Sequence, residues 1–204
     1  LVEAIPLTSN DAYVRLEKLD IYTRRRTLAA TVPVRRGKFL ADAQGVVRFA
    51  RGRDGDNTQR LYYRASQDAE WQLVNDEKTS LHSEYPLGFS ADGKIAYLQV
   101  EQASGPDRIF AWNPADGRYT ELLKDDTVDP MQILYDLDGR TPIGAQYMTD
   151  RVRNRFFDDK HPTARLYRSL EKAIPQDAFY ITSVTDDRRQ AVIYIRRDRN
   201  KGDY

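Results

Sequence analysis

Leu87-Gly88-Phe89-Ser90-Ala91-Asp92-Gly93-Lys94 runs into Ile95-Ala96-Tyr97-Leu98-Gln99-Val100, and these fourteen residues decide the fold. A polar gap from Glu101 to Arg108 follows. Next come Ile109-Phe110-Ala111-Trp112, the turn Asn113-Pro114-Ala115-Asp116-Gly117, and Arg118-Tyr119-Thr120-Glu121-Leu122-Leu123. These are β-prone runs separated by Asp-Gly turns with proline nearby, the strongest short-range signal for antiparallel hairpins. The stretch reads as one antiparallel sheet.

The same punctuation recurs along the chain. Acidic turns stand at Asp42-Ala43-Gln44-Gly45, Asp92-Gly93-Lys94, Asp138-Gly139-Arg140 and Asp186-Asp187-Arg188, spaced 50, 46 and 48 residues apart. Each lies between two β-prone runs, such as Gln132 to Tyr135 and Ile143 to Tyr147 around the third. Several short strands per period in the forties point to β-propeller blades. The expected architecture is all-β: a partial propeller of about four antiparallel blades, in units of roughly 1–35, 36–80, 81–130 and 131–204. In the first unit, Asp11 to Thr31 reads as two outer strands joined by the turn Thr23-Arg24-Arg25-Arg26. Glycine and acid make Gly52 to Asn57 an exposed loop.

Arg151 to Pro175 breaks the rhythm, with no strand pattern where outer strands are expected. From Pro162 the spacing turns helical, and Leu166, Leu170 and Ala173 with Tyr167 and Ile174 form one apolar stripe. Pro162 suits a first helical turn and Pro175 a stop. A helical insertion over 155–175 is expected, for packing ahead of partner contact.

Composition bounds the function classes. Tyr is the commonest aromatic at 13 of 204 residues, which fits short half-wet strands better than a helical bundle. Lys+Arg 32 against Asp+Glu 31 leaves a net charge of +1, with no global pull toward nucleic acid or an anionic membrane. No apolar run approaches the roughly 20 residues that span a bilayer. Zero cysteines exclude disulfides, thiolate catalysis and cysteine zinc sites, and leave the compartment open between cytoplasm and periplasm. Both ends read as those of a piece of a longer protein.

Candidate chemistry is sparse. Gly88-Phe89-Ser90-Ala91-Asp92 has an acid where a nucleophile elbow needs its second glycine, so Ser90 is a turn serine. His82 and His161 stand too far apart for a local metal motif. Asp158 and Asp159 before Pro162 suit a helix N-terminal cap better than metal ligation. Asp136-Leu137-Asp138-Gly139 opens like a calcium loop, but Tyr147 occupies the twelfth position, so it is a hairpin turn. The clusters Arg24-Arg25-Arg26, Arg35-Arg36, Arg188-Arg189 and Arg196-Arg197-Arg199 read as solvated turns. Arg151, Arg153 and Arg155 enter the irregular insertion and could face a peptide or a partner domain. No catalytic, cofactor-binding or metal residue is assigned, and no cofactor is expected.

Tyr147 to Tyr204 resembles the propeller half of serine peptidases of the prolyl oligopeptidase (S9) family, bacterial type. The similarity lies in the arginine-rich link, Phe156-Phe157-Asp158-Asp159, the Leu166 to Leu170 helix, Pro175, Phe179 to Ser183, Asp186-Asp187 and the closing run Ile195 to Tyr204. The earlier units resemble generic blades of the same group. The resemblance implies a seven- or eight-bladed propeller followed by an α/β-hydrolase domain carrying the Ser-Asp-His triad. None of those triad motifs occurs here, so the expected role is a non-catalytic gate that admits short peptides to a hydrolase domain outside this chain. The alternative is a stand-alone propeller that scaffolds protein partners. About four units cannot close such a ring, so open edge strands and dimerisation through them are also expected.

Overall fold

The computed structural model describes residues 1–4, 13–32, 34–175, 178–197 and 200–203. The chain forms two compact units, 1–124 and 125–204. Arg199 of the last basic cluster, and Asp198 and Tyr204 of the closing run, lie outside the described residues.

Three antiparallel sheets make the first unit. The first holds β1 (Val2–Ala4), β2 (Arg15–Leu19) and β3 (Arg26–Ala30). The second holds β4 (Arg35–Ala41), β5 (Val47–Arg53), β6 (Gln59–Tyr63) and β7 (Gln72–Asp76). A single helical turn, α1 (Glu77–Ser80), leads to the third sheet: β8 (Glu84–Phe89), β9 (Ala96–Val100), β10 (Arg108–Asn113) and β11 (Arg118–Leu123). The second unit has a fourth sheet of β12 (Pro130–Tyr135), β13 (Pro142–Met148) and β14 (Val152–Phe156). Helix α2 (Pro162–Ala173) follows, then a fifth sheet of β15 (Ala178–Val184), β16 (Ala191–Arg197) and β17 (Asn200–Asp203). Every sheet is a sequential meander. Such up-and-down sheets have the form of propeller blades, and the all-β class read from the sequence holds.

The four acidic turns each join the first and second strands of a sheet. Around Asp92, Ser90 N–H donates to Ile95 O, Gly93 N–H donates back to Ser90 O, and Asp92 Oδ1 accepts from Lys94 N–H. The tight return needs a positive φ at one position, which Gly93 supplies at 69°. In the last such turn Arg188 takes that place at 58°, and Asp187 accepts from Arg189 N–H. The turn geometry therefore survives loss of the glycine.

The second and third sheets share an aromatic core. The Phe49 ring centroid lies 5.1 Å from Tyr63, 5.5 Å from Phe89 and 5.7 Å from Trp112, and all four side chains are buried. In the second unit, α2 is packed between sheets: Tyr167 lies 5.6 Å from Phe156 on β14 and 5.6 Å from Phe179 on β15.

Four expectations change here. The unit 131–204 carries two three-stranded sheets, one on each side of α2. Arg151 to Pro175 contains a strand, β14, whose Val152-Arg153-Asn154-Arg155-Phe156 alternates with a buried asparagine where an apolar residue would mark the pattern. Helix α2 starts at Pro162 as read, yet it buries Thr163, Ala164 and Tyr167, while Leu166 is exposed. Two small residues beside Tyr167 suffice there because the two sheets bring their own aromatics, Phe156 and Phe179. Gly52 belongs to β5: a Cβ there would stand 2.4 Å from Arg35 O, so close strand approach explains the glycine.

Candidate binding groove

The residues singled out from the sequence scatter. Ser90 donates to Asp92 Oδ1 at 2.7 Å and closes its turn. His161, not Asp158 or Asp159, caps α2: its Nδ1 accepts from Thr163 N–H at 3.3 Å, because Asp158 accepts from Lys160 N–H inside the preceding turn. Among the described residues no group of three or more metal-ligating side chains comes together.

His82 belongs to a network that its polar surroundings hid. Its Nδ1 lies 3.0 Å from Ser80 O and its Nε2 3.3 Å from Glu84 Oε1. Tyr119 OH, on the far strand of the sheet, donates to Glu84 Oε2 at 2.9 Å. Desolvation pushes the buried Glu84 carboxyl above its ordinary range, against hydrogen bonds from Tyr119 and His82 that lower it. One residue past this strand pair the direction reverses: Glu101 is lowered, chiefly by the Tyr85 hydroxyl at 2.7 Å. Split carboxylates often mark acid and base pairs. Here both Glu84 oxygens are occupied, and the network ties the link after α1 to β8 and β11.

The second unit holds an open groove of about 470 Å³. One wall is β14 with Arg151, Arg153 and Arg155; the other is the end of α2 and the start of β15, with Ile174, Pro175 and Ala178. The three arginines flagged in the sequence therefore do meet, and alternation puts them on one face of the strand. Arg155 is spent: its guanidinium lies 2.7 Å from Asp125 and 4.9 Å from the Tyr147 ring centre. Arg153 reaches Asp150 at 2.9 Å. Arg151 makes no ion pair among the described residues.

The floor is polar and buried. Glu171 Oε1 accepts from Asn154 Nδ2 at 2.9 Å, and Asn154 Oδ1 accepts from Gln146 Nε2 at 2.9 Å. Both amide orientations follow from the carboxylate, which can only accept. Asn154 must present nitrogen to Glu171 and oxygen to Gln146, which leaves Gln146 Oε1 buried without a partner among the described residues. Arg168 closes the inner end, donating to Glu171 Oε2 at 3.0 Å, to Asp159 at 2.9 Å and to Asn154 O at 3.2 Å. Beside the floor, burial pushes the Tyr147 hydroxyl up to about 12, so it stays protonated.

The arginines separate by stability. Arg151→Glu, at an exposed site with no ion pair among the described residues, is expected to leave the melting temperature within about 1 °C. Arg155→Glu sets a carboxylate against Asp125 and is expected to lower it by several degrees, on the order of 5 °C. Thermal melts of the two variants side by side check this, and equal shifts would contradict the pairing.

No protein-family model matches the chain, and no curated protein sequence matches it. Among solved structures the chain is similar to TolB from Acinetobacter baumannii, with a TM-score of 0.49 and 10% identity, over 95% of this chain and 48% of that one. The chain thus spans about half the length of that structure.

Proposed function

We propose that this chain is a non-catalytic β-propeller module that binds a peptide segment of a protein partner, and that the groove between β14, α2 and β15 receives it. The supporting observation is the pairing of Arg151, which makes no ion pair among the described residues, with an apolar wall of Ile174, Pro175 and Ala178 along an exposed strand. Such a concave, mixed surface suits an extended chain better than a small polar substrate. Selection of a displayed random dodecapeptide library against the immobilised chain tests the reading. Enriched peptides are expected to protect β14 and the end of α2 from amide exchange. Absence of any enriched binder would overturn it.

A second reading is favoured by the resemblance of Tyr147 to Tyr204 to S9-type serine peptidases. The module would then belong to such a peptidase and gate short peptides toward an α/β-hydrolase domain of the same polypeptide. In that case the parent cleaves short chromogenic peptides in a phosphonate-sensitive way, and this chain alone cleaves none. A parent that neither cleaves nor takes up a serine-directed phosphonate excludes the gate.

A further inference from the structure

The second and third sheets each have four strands, whereas the sheet of β12, β13 and β14 has three and ends on β14. Thr149 N–H donates to Arg151 O, and Phe157 N–H to Ile143 O. In an antiparallel ladder this phase turns the backbone groups of Arg151, Arg153 and Arg155 toward β13, and those of Val152, Asn154 and Phe156 outward. Asn154 O confirms the phase by accepting from Arg168 across the outer edge. Arg168 therefore blocks the inner half of this edge, a common guard against stray pairing. Nothing among the described residues pairs with the outward N–H and C=O of Val152 or with the outward N–H of Asn154.

Resting on the peptide-binding reading, we infer that the groove is the place of a missing fourth strand, filled by an extended peptide of alternating acidic and apolar residues from another protein. Val152 exchanges two backbone hydrogen bonds with the residue opposite it, and Asn154 N–H supplies a third. Side chains of the incoming strand alternate between faces. Those opposite Arg151 and Arg153 share the arginine face, where the Arg151 guanidinium, without an ion pair among the described residues, selects a carboxylate. Those between them fall on the face covered by α2, which carries Asn154 bonded to Glu171 and Phe156 against Tyr167. Small apolar residues fit there beside Ile174 and Ala178. Backbone pairing supplies affinity, and charge supplies the choice of partner.

The probe is a capped, fluorescent heptapeptide alternating valine with aspartate, titrated into the intact chain by anisotropy. Binding is expected to weaken at least about tenfold for the same peptide with lysine for aspartate, and likewise in Arg151→Glu, which should now prefer the lysine peptide. Val152→Pro removes the outward N–H without taking a bond from β13 and is expected to abolish binding. Because that variant could also misfold, the peptide N-methylated at its central residues serves as an independent probe and should fail against the unaltered chain. Equal binding of aspartate and lysine peptides, or undiminished binding of the N-methylated one, overturns the inference. If dodecapeptides selected from the library bind but protect other residues, the inference fails while the binding module stands; if no peptide of either kind binds, both fail. Self-association of the chain that Val152→Pro abolishes and the probe does not compete assigns the edge to a second copy and also overturns it.

Discussion

Gly144→Ala is expected to destabilise the second unit by about 3 kcal/mol and to erase the groove with it. Gly144 lies in β13 directly opposite Phe156 of β14. A Cβ there would stand 2.1 Å from Arg155 O and 2.9 Å from Phe156 Cα, both backbone atoms. Side-chain rotation cannot relieve that contact, so β13 and β14 must part. Parting them breaks the Gln146 to Asn154 bond, removes the Phe156 ring from Tyr167, and moves the outer edge of β14. Gly55→Ala is the control, since nothing lies within 4 Å of its Cβ position and its φ is not in the left-handed region. It should stay within about 0.5 kcal/mol of the original chain. Urea melts with amide exchange at β13 and β14 read both; a Gly144→Ala chain that melts like Gly55→Ala would show that the strands yield more easily than their packing indicates.

How far the sequence reveals this molecule follows from where its signals are local. The Asp-Gly turns are legible because the carboxylate and the positive-φ residue act within four residues, and all four mark the first hairpin of a sheet. Proline at the start of α2 is legible for the same reason. The buried face of α2 is not, because Phe156 and Phe179 come from strands on either side of it and fill the volume that Leu166 was expected to fill. Strand β14 escaped notice since its inward positions are Val152, Asn154 and Phe156, and only the tertiary partners Gln146 and Glu171 make a buried asparagine acceptable there. The groove was half visible: three alternate arginines stood out by charge, but alternation alone does not say that Arg155 is neutralised by Asp125 while Arg151 is not. Glu84 gave no signal at all. It opens β8 after a polar link, and its buried carboxyl takes its hydrogen bond from Tyr119, 35 residues away.

That burial has a consequence in pH. Glu84→Ala is expected to cost about 3 kcal/mol, because it takes the acceptor from the Tyr119 hydroxyl and the partner from His82 Nε2 and empties the buried Glu84 position on β8. Glu84→Gln separates the charge from the hydrogen bonds. The amide can accept from Tyr119 and donate to His82 Nε2, which preserves the network at constant volume. Desolvation raises the folded Glu84 carboxyl above its ordinary value of 4.5. Below 4.5 the carboxyl is protonated in both folded and unfolded chains and costs nothing. As pH rises past 4.5 the unfolded chain releases its proton first, so the folded state loses stability relative to it until the folded carboxyl also ionises. The original chain is therefore expected to match Glu84→Gln near pH 4, to fall below it as pH rises past 4.5, and to level off once the folded carboxyl has ionised. Carboxylates that are lowered on folding, such as Glu101 with its Tyr85 and Ser83 donors, slope the opposite way. They are common to both chains, so the difference between the two urea-stability curves isolates Glu84. A difference that grows in the other direction, with the original chain gaining on Glu84→Gln as pH rises, would mean that the His82 and Tyr119 hydrogen bonds outweigh desolvation and that Glu84 is held ionised.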